Sequence, residues 1–150
     1  MTTARFAAFA YAAIMLAVPS IAAAPDTIKA RQDNFKAMGR SMKLISDELK
    51  KDAPVFATVR REAAALERAG KRIPGFFPRG TGAAAGVNTD ALPAIWQKPA
   101  DFRTAATKLN GATKALRTAA AGTDAARIRA ALGATGATCK GCHDQFRLDK

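Results

Sequence analysis

Both cysteines and the only histidine of this 150-residue chain lie in one pentapeptide near its end, Cys139-Lys140-Gly141-Cys142-His143. The spacing C-x-x-C-H is the attachment signature of a c-type haem: the two thiols add to the two vinyl groups, and the adjacent imidazole ligates the iron. The sequence therefore predicts one covalently attached haem c, with Cys139 and Cys142 as its anchors and His143 as the metal ligand.

A C-x-x-C pair also occurs in zinc sites and in dithiol redox proteins. A zinc site needs further Cys or His ligands, and the chain has none left. A thioredoxin-like site lies near a strand–helix junction in an α/β pattern, and no such pattern occurs in this sequence. A haem-free dithiol protein therefore remains the alternative to haem attachment.

The N-terminal residues 1–23 have the pattern of a secretory signal peptide. Arg5 precedes a short apolar run, which small residues follow. The run is short for a membrane span of about 20 residues, and the small residues favour cleavage after Ala22 or Ala23. We expect a periplasmic protein, since c-type haem is attached outside the cytoplasm, and a single mature domain, residues 24–150, without a membrane span.

The chain is strongly basic, with a formal net charge of +12. The Lys and Arg residues are scattered along it rather than massed in one tail, and there is one Trp and one Tyr. This pattern does not favour nucleic-acid binding, which uses clustered basic patches with stacking aromatics. A basic surface that meets an acidic redox partner is the ordinary interpretation.

Hydrophobic periodicity predicts four helices and no strand. The helices span about residues 26–51, 54–70, 99–122 and 123–146, and their apolar stripes lie close to the 3.5-residue spacing of bundle helices. The expected fold is all-α, an antiparallel up-down-up-down four-helix bundle. A structureless Gly- and Pro-rich loop, residues 71–98, should join helices two and three and cover a haem edge, with Trp96 as its packing anchor.

The apolar stripe of the fourth helix leads directly into the haem motif, so the haem should lie inside the bundle at that end. In an antiparallel bundle the first helix begins at the same end and faces the haem. Its stripe is interrupted by Arg31, next to Gln32. Because a buried charge is costly unless paired, haem propionates are the expected partners of Arg31. The alternative is that its side chain extends to solvent.

Phe35 lies one turn beyond Arg31, where a side chain would reach the open face of the iron. Phenylalanine cannot ligate, and Met38 and Met42 on the same stripe lie deeper, where methionine usually fills a core. The sequence therefore predicts a five-coordinate iron with an apolar distal pocket, suited to small diatomic ligands. The alternative is a six-coordinate, low-spin electron carrier ligated by Met38 or Met42.

Arg147 follows His143 by four residues, and so lies on the same helix face. Two roles remain open for it: a cation that interacts favourably with the helix C-terminus, or a hydrogen-bond donor near the proximal haem face.

Taken together, these residues resemble the cytochrome c-prime family over essentially the whole mature chain. The resemblance rests on Arg31-Gln32, the segments Phe76–Thr81 and Pro93–Trp96, and the haem motif with Phe146-Arg147.

The resemblance implies roles for particular residues. It places Arg31 and Gln32 at the haem edge, and Phe35 at the distal position that carries methionine in low-spin relatives. It brings Thr89 and Asp90 close to the haem edge, and Arg147 to the proximal side where NO can replace the histidine. It also implies NO and CO binding and homodimers built through the first two helices. We assign the chain no catalytic turnover.

Overall fold

The computed structural model describes residues 24–149, and the predicted signal peptide lies outside them. Four long helices dominate: α1 (Ala24–Glu48), α2 (Phe56–Arg72), α4 (Pro99–Ala119) and α5 (Ala125–Phe146). The remaining helix, α3 (Ala94–Gln97), is one turn in the connection between α2 and α4. α1 packs on α2, α2 on α4 and α4 on α5. The predicted all-α four-helix bundle is confirmed.

The first connection tightens earlier than the sequence pattern predicts. α1 ends at Glu48 rather than near Lys51, because the Lys51 amide turns back to donate to the Glu48 carbonyl. The Glu48 carboxylate then accepts a hydrogen bond of 3.0 Å from the Val55 amide, at the start of α2. One side chain thus joins the end of the first helix to the beginning of the second.

The predicted end of the second helix at Gly70 is wrong, because α2 continues to Arg72. Gly70 is buried where α2 crosses α4, and a Cβ atom there would lie 3.1 Å from Asn110 Oδ1. The glycine therefore allows α2 and α4 to approach closely. In the sequence alone, such a glycine cannot be distinguished from one that ends a helix.

The long connection between α2 and α4 is ordered, so the expectation of a structureless loop is wrong. It contains 3₁₀ turns at Ile73–Phe76 and Ala83–Ala85 as well as α3. The Trp96 indole donates hydrogen bonds of 3.1 and 3.0 Å to the carbonyls of Phe77 and Pro78, which confirms Trp96 as the loop anchor.

The hydrophobic core is built mainly from α1, α2 and α4. α5 adds only Ile128, Thr135 and Phe146 to the buried residues, and its direct contacts with α1 are few. A groove of about 580 Å³, bordered by Met42 and Gly136, runs between these two helices. The lightly packed side of the bundle therefore lies between α1 and α5.

No helix within residues 24–149 is both long enough and apolar enough to cross a bilayer.

Candidate haem site

The haem motif occupies the last turns of α5, with its three functional side chains half-buried. Cys139 and Cys142 pack against the edge of the core. Burial raises the pKa of both thiols, and the Cys139 sulfur raises that of Cys142 further. Cys142 also borders an open groove of about 480 Å³ between α4 and α5. The two sulfurs are thus available on the inner side of α5.

The protonation state of the His143 imidazole decides whether it can ligate a metal. Burial lowers the pKa of its imidazole, and the positive charge of Arg147 lowers it further. Asp144 and Asp149 act in the opposite direction, with smaller effects. The net shift favours the neutral ring, which is the form that ligates iron.

Arg31 on α1 is almost completely buried, with 3% of its surface exposed, so the alternative that it extends to solvent is wrong. Its guanidinium donates to the Thr89 hydroxyl at 2.7 Å and to the Thr81 carbonyl at 3.1 Å, and its Nη1 lies 3.5 Å from the Phe76 carbonyl. The cation also lies 4.5 Å from the centre of the Phe77 ring. Arg31 therefore holds the long loop against the first helix.

All these partners of Arg31 are neutral, and within residues 24–149 it forms no salt bridge with a carboxylate. Burial lowers the pKa of its guanidinium with no compensating negative charge. A buried cation without a counter-ion is unfavourable, so the site has a place for an anionic group. Carboxylates such as haem propionates match a guanidinium in charge and geometry, and in this respect the residues fit a haem.

Gln32 and Thr89 extend the contact between α1 and the loop. The Gln32 amide donates to the Asn88 carbonyl at 2.8 Å, and the Thr89 hydroxyl accepts from the Ala91 amide as well as from Arg31. The structure thus brings together Arg31, Gln32 and Thr89, three residues singled out from the sequence.

A chain of aromatic rings connects α1 with the end of α5. The ring centres of Phe35 and Phe77 are 6.4 Å apart. Those of Phe77 and Phe102 are 4.8 Å apart, and those of Phe102 and Phe146 are 5.4 Å apart. Phe77 is the centre of this cluster, and its role could not be assigned from the apolar stripes of the helices. Its position in an aromatic, proline-containing segment was the available signal.

The two methionines of α1 lie deeper in the bundle than Phe35. Met38 is buried in the core, where its sulfur lies 3.7 Å from the Asn34 amide nitrogen. Met42 is half-buried, and its Cε would lie 3.9 Å from a Cβ atom at Gly136 of α5. Both side chains thus take part in helix packing.

Asp90 and Arg147 meet just beyond α5. The prediction that Arg147 shares a helix face with His143 is wrong, because α5 ends at Phe146 and the Arg147 backbone is extended. Arg147 Nη2 lies 3.8 Å from Asp90 Oδ2, and the Leu148 amide donates to the Asp90 carbonyl at 2.8 Å. The loop therefore contacts α1 through Thr89 and the end of α5 through Asp90.

Comparisons with known proteins match the chain as a whole. The family model described as cytochrome C' matches residues 26–147. A cytochrome c' from Pararhodospirillum photometricum is 38% identical over 120 residues, which cover 80% of this chain and 94% of that protein.

Two solved structures are similar to the whole bundle. One is a nitric oxide complex of the L16I mutant of cytochrome c prime from Alcaligenes xylosoxidans (TM-score 0.75, 28% identity, covering 84% of this chain and 97% of that one). The other is a cytochrome c' with ligand-controlled dimer dissociation (TM-score 0.78, 27% identity, with the same coverage).

Proposed function

Since this chain belongs to the cytochrome c' family of c-type haem proteins, we propose that it is a periplasmic cytochrome with one covalently bound haem and a five-coordinate, high-spin iron. Cys139 and Cys142 would hold the haem through thioether bonds, and His143 would ligate its iron. A haem held in this way supplies an iron site for NO and CO and for one-electron exchange. We assign the chain no catalytic turnover.

The observation that carries the proposal is the residue opposite the haem motif on the first helix. We assign this position to Phe35, which contacts Phe77 and whose side chain has no atom that ligates iron. Met38 and Met42 are engaged in helix packing further along α1. An apolar distal side without a protein ligand favours small neutral diatomic ligands over a sixth protein ligand.

The residues around the motif would orient the haem. Arg31 would balance its buried charge against a propionate, with Gln32 and Thr89 holding the adjacent loop backbone. Arg147 would place a positive charge on the proximal side, next to Asp90. These roles make the loop part of the haem pocket.

The optical spectrum of the purified protein, followed through an anaerobic NO titration, tests this proposal. We expect a high-spin spectrum that changes on addition of NO. A sharp low-spin spectrum with a methionine–iron charge-transfer band would instead establish the six-coordinate alternative. The absence of a covalent haem stain and of a mass increase of one haem would establish a dithiol protein.

Substitution of the distal residue provides a second test. Phe35→Met should convert the iron to the six-coordinate, low-spin state. Phe56→Met is the matched control, because Phe56 is also half-buried against the core but lies at the start of α2. Identical spectra for the two variants would remove Phe35 from the distal site.

The predicted signal peptide supports export, and the charge of +12 supports an acidic redox partner.

A homodimer through α1 and α2 is also part of the proposal. Leu44 on α1 and Val55 before α2 are 45% and 52% exposed, which makes them candidates for burial between two copies. Sedimentation of the parent and of Leu44→Glu measures this: the variant should shift towards monomer, and an unchanged mass would place the contact elsewhere.

A further inference from the structure

The long loop, residues 73–92, covers the buried cation of the first helix. Arg31 donates hydrogen bonds to the Thr81 carbonyl and to the Thr89 hydroxyl, and its guanidinium lies against the Phe77 ring. All three partners belong to the loop, and Arg31 is only 3% exposed. The loop is therefore a lid over Arg31, and the contacts that hold its other edge decide whether it stays closed.

The last residues of this loop pair with the chain just beyond α5. Ala91 and Arg147 form an antiparallel bridge. On one side of the bridge, the Leu92 amide donates to the Phe146 carbonyl at 3.0 Å. The Arg147 backbone has φ −123° and ψ 138°, which is the geometry of a β-strand. The chain therefore leaves α5 as a short strand that runs along the edge of the loop.

Residues 147–149, which we call the strap, are attached through their backbone. On the other side of the bridge, the Leu148 amide donates to the Asp90 carbonyl at 2.8 Å. The Leu148 side chain is 51% exposed, so its packing contributes little to this attachment. Because α1 and α5 make few direct contacts, little else joins the two helices where the strap meets the loop. Segments held by few contacts are those that open locally in a folded protein.

We propose that the strap fastens the lid to α5, and that strap and loop open together as one unit. Release of the strap frees the edge of the loop opposite Arg31, and the opened loop uncovers that cation. In the haem-loaded protein, the same opening admits solvent and small ligands to the haem edge proposed to lie against Arg31. The part of this inference that concerns the haem rests on the proposed function, whereas the pairing of strap and loop does not.

The test compares Leu148→Pro with Leu148→Ala in the haem-loaded protein. Proline lacks the amide that donates to Asp90, and the extended backbone of Arg147 is one that a following proline allows. Alanine keeps the amide and removes only the exposed side chain. Two rates are measured for each variant: hydrogen exchange of the Leu92 amide, which reports the strap, and trypsin cleavage after the exposed Arg79, which reports the loop.

Loss of one backbone hydrogen bond should raise both rates in Leu148→Pro by roughly 2- to 10-fold. The two factors should be equal, because both rates then follow the population of one open state. Leu148→Ala should match the parent. Faster exchange at Leu92 with unchanged cleavage after Arg79 would show that the strap opens alone, and would overturn the inference. Identical rates in the proline and alanine variants would also overturn it.

The Ala120 amide is the control for unfolding of the whole bundle. It donates to the Leu116 carbonyl at 2.9 Å, at the opposite end of α4 from the strap. Its exchange should be unchanged in Leu148→Pro, and an equal acceleration there would show that proline destabilises the whole bundle, which would overturn the inference.

The rate of CO binding to the reduced haem tests the part that concerns access. It should rise in Leu148→Pro and stay at the parent value in Leu148→Ala. Faster cleavage after Arg79 with an unchanged CO rate would overturn the role of the loop as a lid for the haem. A chain that attaches no haem overturns the proposed function, but its exchange and cleavage rates still decide whether strap and loop open together.

Discussion

Arg31→Met is the substitution that most directly tests how the site is built. It removes a buried cation while keeping a long apolar side chain. The hydrogen bonds to the Thr89 hydroxyl and the Thr81 carbonyl disappear, as does the contact with the Phe77 ring. The loop then loses its main attachment to α1.

The size of the effect can be worked out from these contacts. Each hydrogen bond from a charged donor contributes about 1.5–3 kcal/mol, and the cation–π contact adds roughly 1 kcal/mol. The substitution also removes the cost of burying a charge without a counter-ion, which offsets part of the loss. We expect a net decrease in the free energy of unfolding of about 2–3 kcal/mol, or about 10 °C in Tm for a domain of this size. Any bond from Arg31 to a haem propionate would add to this decrease.

The assay is denaturant unfolding of the haem-loaded protein, followed by circular dichroism. Arg40→Met is the control, because Arg40 is exposed on the same helix and its substitution should change stability by no more than about 0.5 kcal/mol. If the two variants unfold at the same denaturant concentration, Arg31 does not hold the loop, and the reasoning from its buried contacts is refuted.

Three further predictions concern the bundle and its loop. The carboxylate of Glu67 pairs with Lys71 and Arg117, and the hydrogen bond from Lys71 is the first cause that lowers the Glu67 pKa below 4.5. The ionised Glu67 carboxylate therefore contributes its full stabilisation above pH 4.5, and this stabilisation is lost as the pH falls through the lowered pKa. The difference in unfolding free energy between the parent and Glu67→Gln should accordingly decrease on acidification. A difference that does not change with pH would contradict this. Gly111→Ala should stabilise the protein by about 0.5–1 kcal/mol, because no atom lies near the added Cβ. Gly70→Ala should give no such gain, because its Cβ would lie against the Asn110 side chain. Equal changes in Tm for the two variants would refute the close approach at Gly70. Trp96→Phe removes both hydrogen bonds from the indole to the loop, so trypsin should cleave after the exposed Arg79 faster than in the parent, and equal cleavage rates would show that packing alone anchors the loop.

The bundle could be predicted from the sequence because each long helix carries its own apolar stripe. Ile28, Met38 and Ile45 of α1, for example, recur at helical spacing and are all buried. The end of α2 could not be predicted in this way, because Gly70 is used for contact with α4 rather than to stop the helix. That use depends on a residue forty positions away, which periodicity does not reveal.

The loop shows why the site was only partly predictable. Its order comes from side chains that donate to backbone carbonyls: Arg31 to Thr81, Gln32 to Asn88, and Trp96 to Phe77. A backbone carbonyl is present in every residue, so it leaves no mark in the sequence. Burial of Arg31 could be anticipated from the stripe that it interrupts, but its partners could not.

The same contacts connect stability with function at this end of the bundle. Thr89 is held by Arg31 of α1, and its neighbour Asp90 is held by the end of α5. Because α1 and α5 make few direct contacts, the loop adds a connection between α1, which carries the proposed distal residue Phe35, and the end of α5, which carries the proposed ligand His143. A substitution that weakens the loop should therefore change both stability and the surroundings of the iron, whereas one confined to the packing of α2 against α4 should change stability alone.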